Sequence, residues 1–198
     1  MRKNKIKGFS LIELMVVISL MSIFIVIAVP QYNNFQRGQA LRTAALQLQN
    51  DIKKAQSMAY ANEYETQIDF TDDKGYKIYI DSNRDGSFNK TTGADSELYK
   101  TRQITDNYMG TKFINATSAT FITFSPGGGA ETNLSTINCD LGEQTGIVRY
   151  CVILQGQVID PDTSALSLFG VWLDPITGNS RVDQVQANPP TNTSPPPI

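Results

Sequence analysis

Histidine is absent from the 198-residue chain, cysteine occurs twice and tryptophan once. Without histidine the commonest general base and the commonest imidazole metal ligand are both missing, which leaves only carboxylate, Ser–Lys or tyrosine chemistry open to a catalyst. No clustered constellation of those groups stands out along the chain, so the sequence reads as a non-enzyme. An excess of basic charge is also lacking: 17 Lys and Arg stand against 19 Asp and Glu, for a net charge of −2. That balance excludes the polybasic surface that binds nucleic acid without sequence preference, and no nucleic-acid partner is expected. The length leaves room for one ordinary domain and an anchor.

What positive charge there is has been gathered at one end. Arg2, Lys3, Lys5 and Lys7 fall within the first eight residues with no acid among them, and removing their four charges from −2 leaves the remainder at −6. Basic flanks stay on the cytoplasmic side of a membrane segment. From Phe9 to Val29 the sequence reads FSLIELMVVISLMSIFIVIAV, apolar apart from three serines and Glu13. About 21 helical residues at about 1.5 Å each reach about 30 Å, the thickness of a bilayer's hydrocarbon core. An ordinary secretory signal has a shorter apolar region followed by a small-x-small cleavage site, and neither that site nor a lipobox cysteine is present; Pro30 follows the run instead. An uncleaved signal anchor is the simplest alternative reading.

Glu13 argues against that alternative. A carboxylate within a membrane helix costs about 2.5–3.5 kcal/mol at the centre and less near an interface, and it usually has a partner. If the chain were cut after Gly8, Phe9 would become the N-terminus, with its amine one helical turn from Glu13. The same amine could neutralise Glu13 of a neighbouring helix, turning a liability into a register device. The stretch Lys7-Gly8-Phe9-Ser10-Leu11-Ile12-Glu13-Leu14 resembles the processing motif of type IV pilins and of the pseudopilins of type II secretion. The resemblance covers about thirty residues: basic leader, Gly–Phe junction, the glutamate at Glu13 and Pro30. It implies that a membrane prepilin peptidase cuts between Gly8 and Phe9, that Phe9 is then N-methylated, and that Glu13 serves assembly. It further implies an inner-membrane, single-pass subunit with its head outside the cytoplasm, ending in a periplasmic or cell-surface filament. Its partners would be other pilin or pseudopilin subunits, the prepilin peptidase, an inner-membrane assembly platform and the inner membrane itself.

Beyond Pro30 the apolar residues Phe35, Leu41, Ala45, Leu48, Ile52, Ala55 and Ala59 recur every three or four positions, one stripe on a polar helix. Residues 9–62 as one helix would be about 80 Å long. Pro30 and Gly38 are its weak points, where a bend or local melting is expected. The segment Ala55 to Glu63, leading into a strand Glu65–Phe70, resembles the corresponding turn of H-type minor pseudopilins and related minor pilins, over about fifteen residues.

From residue 65 the period changes to two. Candidate strands are Glu65–Phe70, Gly75–Ile80, Glu97–Ile104, Thr120–Phe124, Ile147–Leu154, Phe169–Leu173 and Ser180–Gln186, with turn residues between them. The expected fold is therefore α+β, a pilin-like lollipop: a long N-terminal helix, half membrane and half amphipathic, packed on an antiparallel β-sheet head. Ile68, Phe70, Ile78, Ile80, Phe121, Val152 and Trp172 are the expected core. The divisions are residues 1–8 as cleaved leader, 9–30 as membrane or filament-core helix, 31–62 as amphipathic helix, 63–187 as head and 188–198 as a disordered Pro-rich tail whose composition cannot build a core.

Three smaller features bear on sites. Cys139 and Cys151 fall in the exported part, where a disulfide is the simplest reading; it would close a loop of about a dozen residues and be worth about 3 kcal/mol. Two redox thiols are the alternative, without C-x-x-C spacing. Asp81-Ser82-Asn83-Arg84-Asp85-Gly86-Ser87 begins as a calcium loop does, with oxygen donors at Asp81, Asn83, Asp85 and Ser87 and glycine at the sixth position. Position twelve is Thr92 rather than glutamate, though Asp95 or Glu97 follows, and a polar β-turn without metal is the preferred reading of these residues, with calcium the alternative. Calcium is the single cofactor the sequence raises. Phe124-Ser125-Pro126-Gly127-Gly128-Gly129 lacks the Lys-Ser/Thr of a phosphate loop and reads as a flexible turn.

The function that follows is a structural subunit, minor rather than major, of a type IV pilus or a type II secretion pseudopilus. A major pilin, or a minor pilin whose head binds a ligand, is the alternative, and an enzyme on a signal anchor is the remotest reading.

Overall fold

The structure is a computed structural model that describes residues 9–91, 97–114, 116, 120–134, 150–159, 166–174, 176–177 and 179–185. The leader with Gly8, the residues Thr92, Asp95 and Cys139, the strand start at Ile147 and the tail from 188 lie outside the described residues. The chain divides into two compact units, Met1–Gln36 and Arg37–Ile198. The division falls inside the first helix.

Helix α1 spans Leu11–Asn62 without interruption through Pro30 and Gly38, so neither residue ends it. Its first turn opens on the Ser10 carbonyl, which accepts the N–H groups of Glu13 and Leu14. At its other end Glu63 turns into the left-handed region at φ 56°, and Arg84 donates through Nη2 to the Asn62 carbonyl at 2.9 Å. A cation on a terminal carbonyl satisfies an acceptor that the helix leaves open and meets the negative end of its dipole.

Among the described residues nine strands follow: β1 Thr66–Phe70, β2 Gly75–Ile80, β3 Leu98–Gln103, β4 Lys112–Phe113, β5 Phe121–Phe124, β6 Ala130–Thr132, β7 Tyr150–Ile159, β8 Leu166–Leu173 and β9 Ser180–Val185, with a helical turn, α2, at Ile104–Asn107. They form two antiparallel sheets instead of the single sheet expected, in the orders β3-β2-β1-β5-β6 and β4-β7-β8-β9. The short strands β4 and β6 carry too few residues for a period of two to reveal them.

Within the second unit, α1 and both sheets share one core. Leu41, Ala44, Ala45, Leu48, Ile52, Ala55 and Ala59 pack in one cluster with Ile68, Phe70, Ile78 and Ile122 of the first sheet and Val152, Leu154, Val171 and Leu173 of the second. The alanines keep this face of the helix thin. Gly156 of β7 does the same from the sheet side, since a Cβ there would come within 2.8 Å of the Leu41 side chain. Polar contacts fix the seat: Thr66 donates to the Ala55 carbonyl at 2.9 Å, Gln49 to the Ser180 carbonyl at 2.8 Å and Gln56 to the Thr177 carbonyl at 2.8 Å.

Three core expectations need correction. Ile80 and Phe121 are only half-buried, being the outer ends of strands whose central residues meet the helix. Phe35 belongs to the first unit and is 62% exposed, so the buried stripe begins at Leu41. Ile68, Phe70, Ile78 and Val152 are buried in this core as expected, whereas Trp172 is buried in a separate cluster with Cys151 and Ile153.

The turn Ser125–Gly129 between β5 and β6 is closed by hydrogen bonds from Gly128 N–H to the Ser125 carbonyl and from Ser125 N–H to the Gly129 carbonyl, at 3.0 and 3.2 Å. Gly128 is buried at φ 96° under the hydroxyl end of Tyr60 from α1, where a Cβ would collide with the ring. Gly128→Ala should therefore destabilise the protein by about 2 kcal/mol through backbone strain and the clash together. Adding Tyr60→Ala should recover the part owed to the clash. Denaturant melts of both singles and the double would show this as non-additivity; additive losses would mean that Tyr60 does not constrain the turn.

Candidate assembly interface

The first unit's helical surface carries its apolar groups outward. Phe9 is 79% exposed, and Leu11, Ile12, Leu14, Met15, Val16, Ile18, Leu20, Met21, Ile23, Phe24, Ile25 and Val26 are all exposed. A continuous apolar surface of this kind on a water-soluble molecule marks a membrane or protein contact. The serines do not interrupt it, because Ser19 donates to the Met15 carbonyl at 2.8 Å and Ser22 to the Ser19 carbonyl at 2.7 Å. Hydroxyls satisfied within the helix leave it able to face hydrocarbon. Glu13 is the one carboxylate among these exposed groups. Among the described residues no helix is long and apolar enough to cross a membrane; the unbroken run of described side chains there ends at Val26.

The joint between helix and head holds a group that the periodicity passes over. Asp51 lies on the buried stripe, 3% exposed, between Leu48 and Ile52. Its Oδ2 accepts the Tyr76 hydroxyl at 2.8 Å and Arg102 Nε at 3.1 Å, and its Oδ1 accepts Lys100 Nζ at 3.0 Å. Tyr76 comes from β2, and Lys100 and Arg102 from β3. Burial by itself would raise the Asp51 pKa, but the hydrogen bonds from Tyr76, Lys100 and Arg102 outweigh it and hold the carboxyl below its ordinary 3.8. Burial and the adjacent carboxylate push the Tyr76 phenol far up from 10.0. An acid alone on an apolar helix face was the available sequence signal for this site.

The Asp81 loop is closed by its own carboxylates. Asp81, 2% exposed, accepts the N–H groups of Asp85 and Gly86 at 3.2 and 2.9 Å, Asn83 accepts Asp85 N–H at 2.9 Å, and Asp85 accepts Ser87 N–H at 2.8 Å. Arg84 and Gly86 take positive φ, 59° and 75°. Glu97, also buried, accepts the Ser82 and Asn89 N–H groups at 3.1 and 2.8 Å and so ties both ends of the loop. Among the described residues no group of three or more His, Cys, Asp or Glu side chains could hold a metal ion. Cys151 is disulfide-bonded and buried in β7 beside Ile153 and Trp172; its expected partner Cys139 lies outside the described residues.

Because the Asp51 pKa is lowered on folding, its contribution is complete above 3.8 and is lost as pH falls through the lower folded value. Because the Tyr76 pKa is raised, its contribution is complete below 10.0 and declines above it. Denaturant titrations across pH should show both limbs in the native chain, the acid limb smaller in Asp51→Asn and the alkaline limb smaller in Tyr76→Phe. Asp51→Ala should cost about 3 kcal/mol near neutrality, since it strands two cations and a buried hydroxyl. In the Asp81 loop, Asp81→Ala should cost about 1–3 kcal/mol by stranding backbone donors. Melts in EGTA and in saturating calcium should coincide, whereas a rise in Tm with calcium concentration would assign Asp81, Asn83, Asp85 and Ser87 as ligands.

Comparison with known families gives two matches. The prokaryotic N-terminal methylation motif matches residues 3–29, the stretch that holds the basic leader, Phe9, Glu13 and the exposed apolar surface. The type II transport protein GspH matches residues 44–157, from the buried stripe of α1 through to β7. No curated protein and no solved structure matches the chain. The second match spans more than half of the 198 residues and coincides with the helix-on-sheet core, so the chain belongs to the GspH family of type II transport proteins, pilin-like structural subunits with an α+β head.

Proposed function

We propose that the chain is a minor subunit of a type II secretion pseudopilus, held in the inner membrane by its N-terminal helix with the head outside the cytoplasm. Prepilin peptidase cuts between Gly8 and Phe9, Phe9 is N-methylated, and the helix then packs among those of sibling subunits delivered through the inner-membrane assembly platform. Glu13 pairs with the Phe9 amine of a neighbour. The observation that carries this reading is the outward apolar surface from Leu11 to Val26, which bears a single carboxylate one turn after Phe9. Such a surface needs a non-aqueous partner, and such a carboxylate in that partner needs a cation. The match to GspH favours the secretion pseudopilus over a surface pilus, and the minor over the major subunit. Pro30 and Gly38 supply a place where α1 bends when the subunit is extracted from lipid into the filament core, since proline removes a helical hydrogen bond and glycine lowers the cost of leaving the helix.

Mass spectrometry of the N-terminus, from envelopes with and without the cell's prepilin peptidase, tests the processing step: methylated Phe9 should be the first residue only when the peptidase is present. An intact Met1 in both samples would overturn the proposal. Glu13→Ala should reduce incorporation into filaments at least tenfold while the head keeps its melting temperature, because its removal leaves the neighbour's amine unpaired in an apolar core. Unchanged incorporation would remove Glu13 from the assembly mechanism.

A further inference from the structure

The head carries a surplus of cations on one flank, where β3 runs beside α1. Asp51 accepts three hydrogen bonds, Lys100 on one oxygen and Tyr76 and Arg102 on the other. The cations are less fully used. Arg102 engages Asp51 through Nε alone, which leaves the two terminal amino groups of its fork, and Lys100 engages it through one donor. Both side chains reach solvent, at 33% and 27% exposure. The buried carboxylate therefore orients two cations whose remaining donors point away from it.

Two neighbours extend the flank. Between Ile78 and Tyr79 the β2–β3 register shifts, Ile78 facing Lys100 and Tyr79 facing Leu98, so Tyr99 is the extra residue of a bulge. Bulges re-aim side chains, and this one leaves Tyr99 exposed beneath Lys54 of α1, whose Nζ is 5.0 Å from the ring centroid. Lys54 over Tyr99, with Lys100 and Arg102 on Asp51, thus places three cations along this flank, and among the described residues Asp51 is the one carboxylate paired with any of them.

We propose that this flank receives a carboxylate from the head of the adjoining subunit in the assembly. Charge complementarity supports that occupant. The net positive flank sits on a chain whose part beyond residue 8 carries −6 once the four leader charges are removed from −2, so a like head has carboxylates to offer. A planar guanidinium held at its Nε presents the geometry that a carboxylate meets bidentately. An assembly through N-terminal helices brings heads side by side, and the flank gives that contact polarity and register more than strength. This inference rests on the filament-subunit reading above.

The test uses the full-length chain in its producing cells, with the photo-reactive residue p-benzoylphenylalanine in place of Tyr99. Illumination should give a covalent adduct to a pilin-like subunit, mapping to a peptide that contains Asp or Glu. Lys54→Glu should lower the adduct about tenfold and Lys54→Arg should retain it. Both variants should melt as the parent does, because Lys54 is exposed and makes no contact with Asp51. An adduct to lipid or nucleic acid, or to a peptide without an acid, overturns the proposal. So does the absence of an adduct in chains that carry a processed Phe9 and are incorporated, while leaving the filament reading standing. Chains that are neither processed nor incorporated overturn both.

Discussion

Seating the alanine-rich stripe of α1 on two sheets is the contact on which the rest of the head depends. Leu41, Leu48 and Ile52 supply most of the apolar area, and Ala44, Ala45, Ala55 and Ala59 let the helix axis approach both sheets at once. Each fully buried Leu or Ile is worth about 1.5–3 kcal/mol, and neither sheet on its own offers the helix a complete cover. The first sheet closes over the stripe with Ile68, Phe70, Ile78 and Ile122, and the second with Val152, Leu154, Val171 and Leu173. Strands as short as β4 and β6 persist because the larger strands they pair with are pinned to the helix.

Into that apolar seat the chain places Asp51. A lone carboxylate there would lose several kcal/mol of hydration, and it stays ionised because a tyrosine and two cations reach it from β2 and β3. An ion cluster of this kind adds little net stability compared with a well-packed apolar group. Its contribution is directional: only one sliding register of α1 along the sheet brings Asp51 to Tyr76, Lys100 and Arg102 together. Gln49 and Gln56 act in the same sense on the second sheet. Together these contacts fix the register of α1 on both sheets within the second unit.

The same helix answers two solvents. In the first unit its apolar groups point outward all round, relieved by Glu13 and by serines that bond back to their own helix; in the second it buries one face and wets the other. The N-terminal methylation motif falls on the first half and the GspH match on the head of helix on sheets. The positive charge beside β3 and the closed Asp81 loop at the end of α1 are features of the second unit.

The N-terminal methylation motif was legible from the sequence because its signals are local. Basic leader, Gly8–Phe9 junction, apolar run and Glu13 lie within about thirty consecutive residues, and membrane insertion depends on the composition of that stretch. The stripe from Leu41 to Ala59 was legible for the same reason, as was the helix, whose hydrogen bonds join residues four apart. Alternation located seven of the nine described strands to within about five residues and missed the short β4 and β6. The division of the strands into two sheets was not legible, because alternation marks which face of a strand is apolar and says nothing of its partner. The half-burial of Ile80 and Phe121 and the exposure of Phe35 were hidden for a related reason, since burial depends on whether another element extends far enough to cover them. Asp51, Tyr76, Lys100 and Arg102 are up to about fifty residues apart in the chain; only the docking of β2 and β3 on α1 makes them one site, and it does so because the apolar stripe can be buried in just that register.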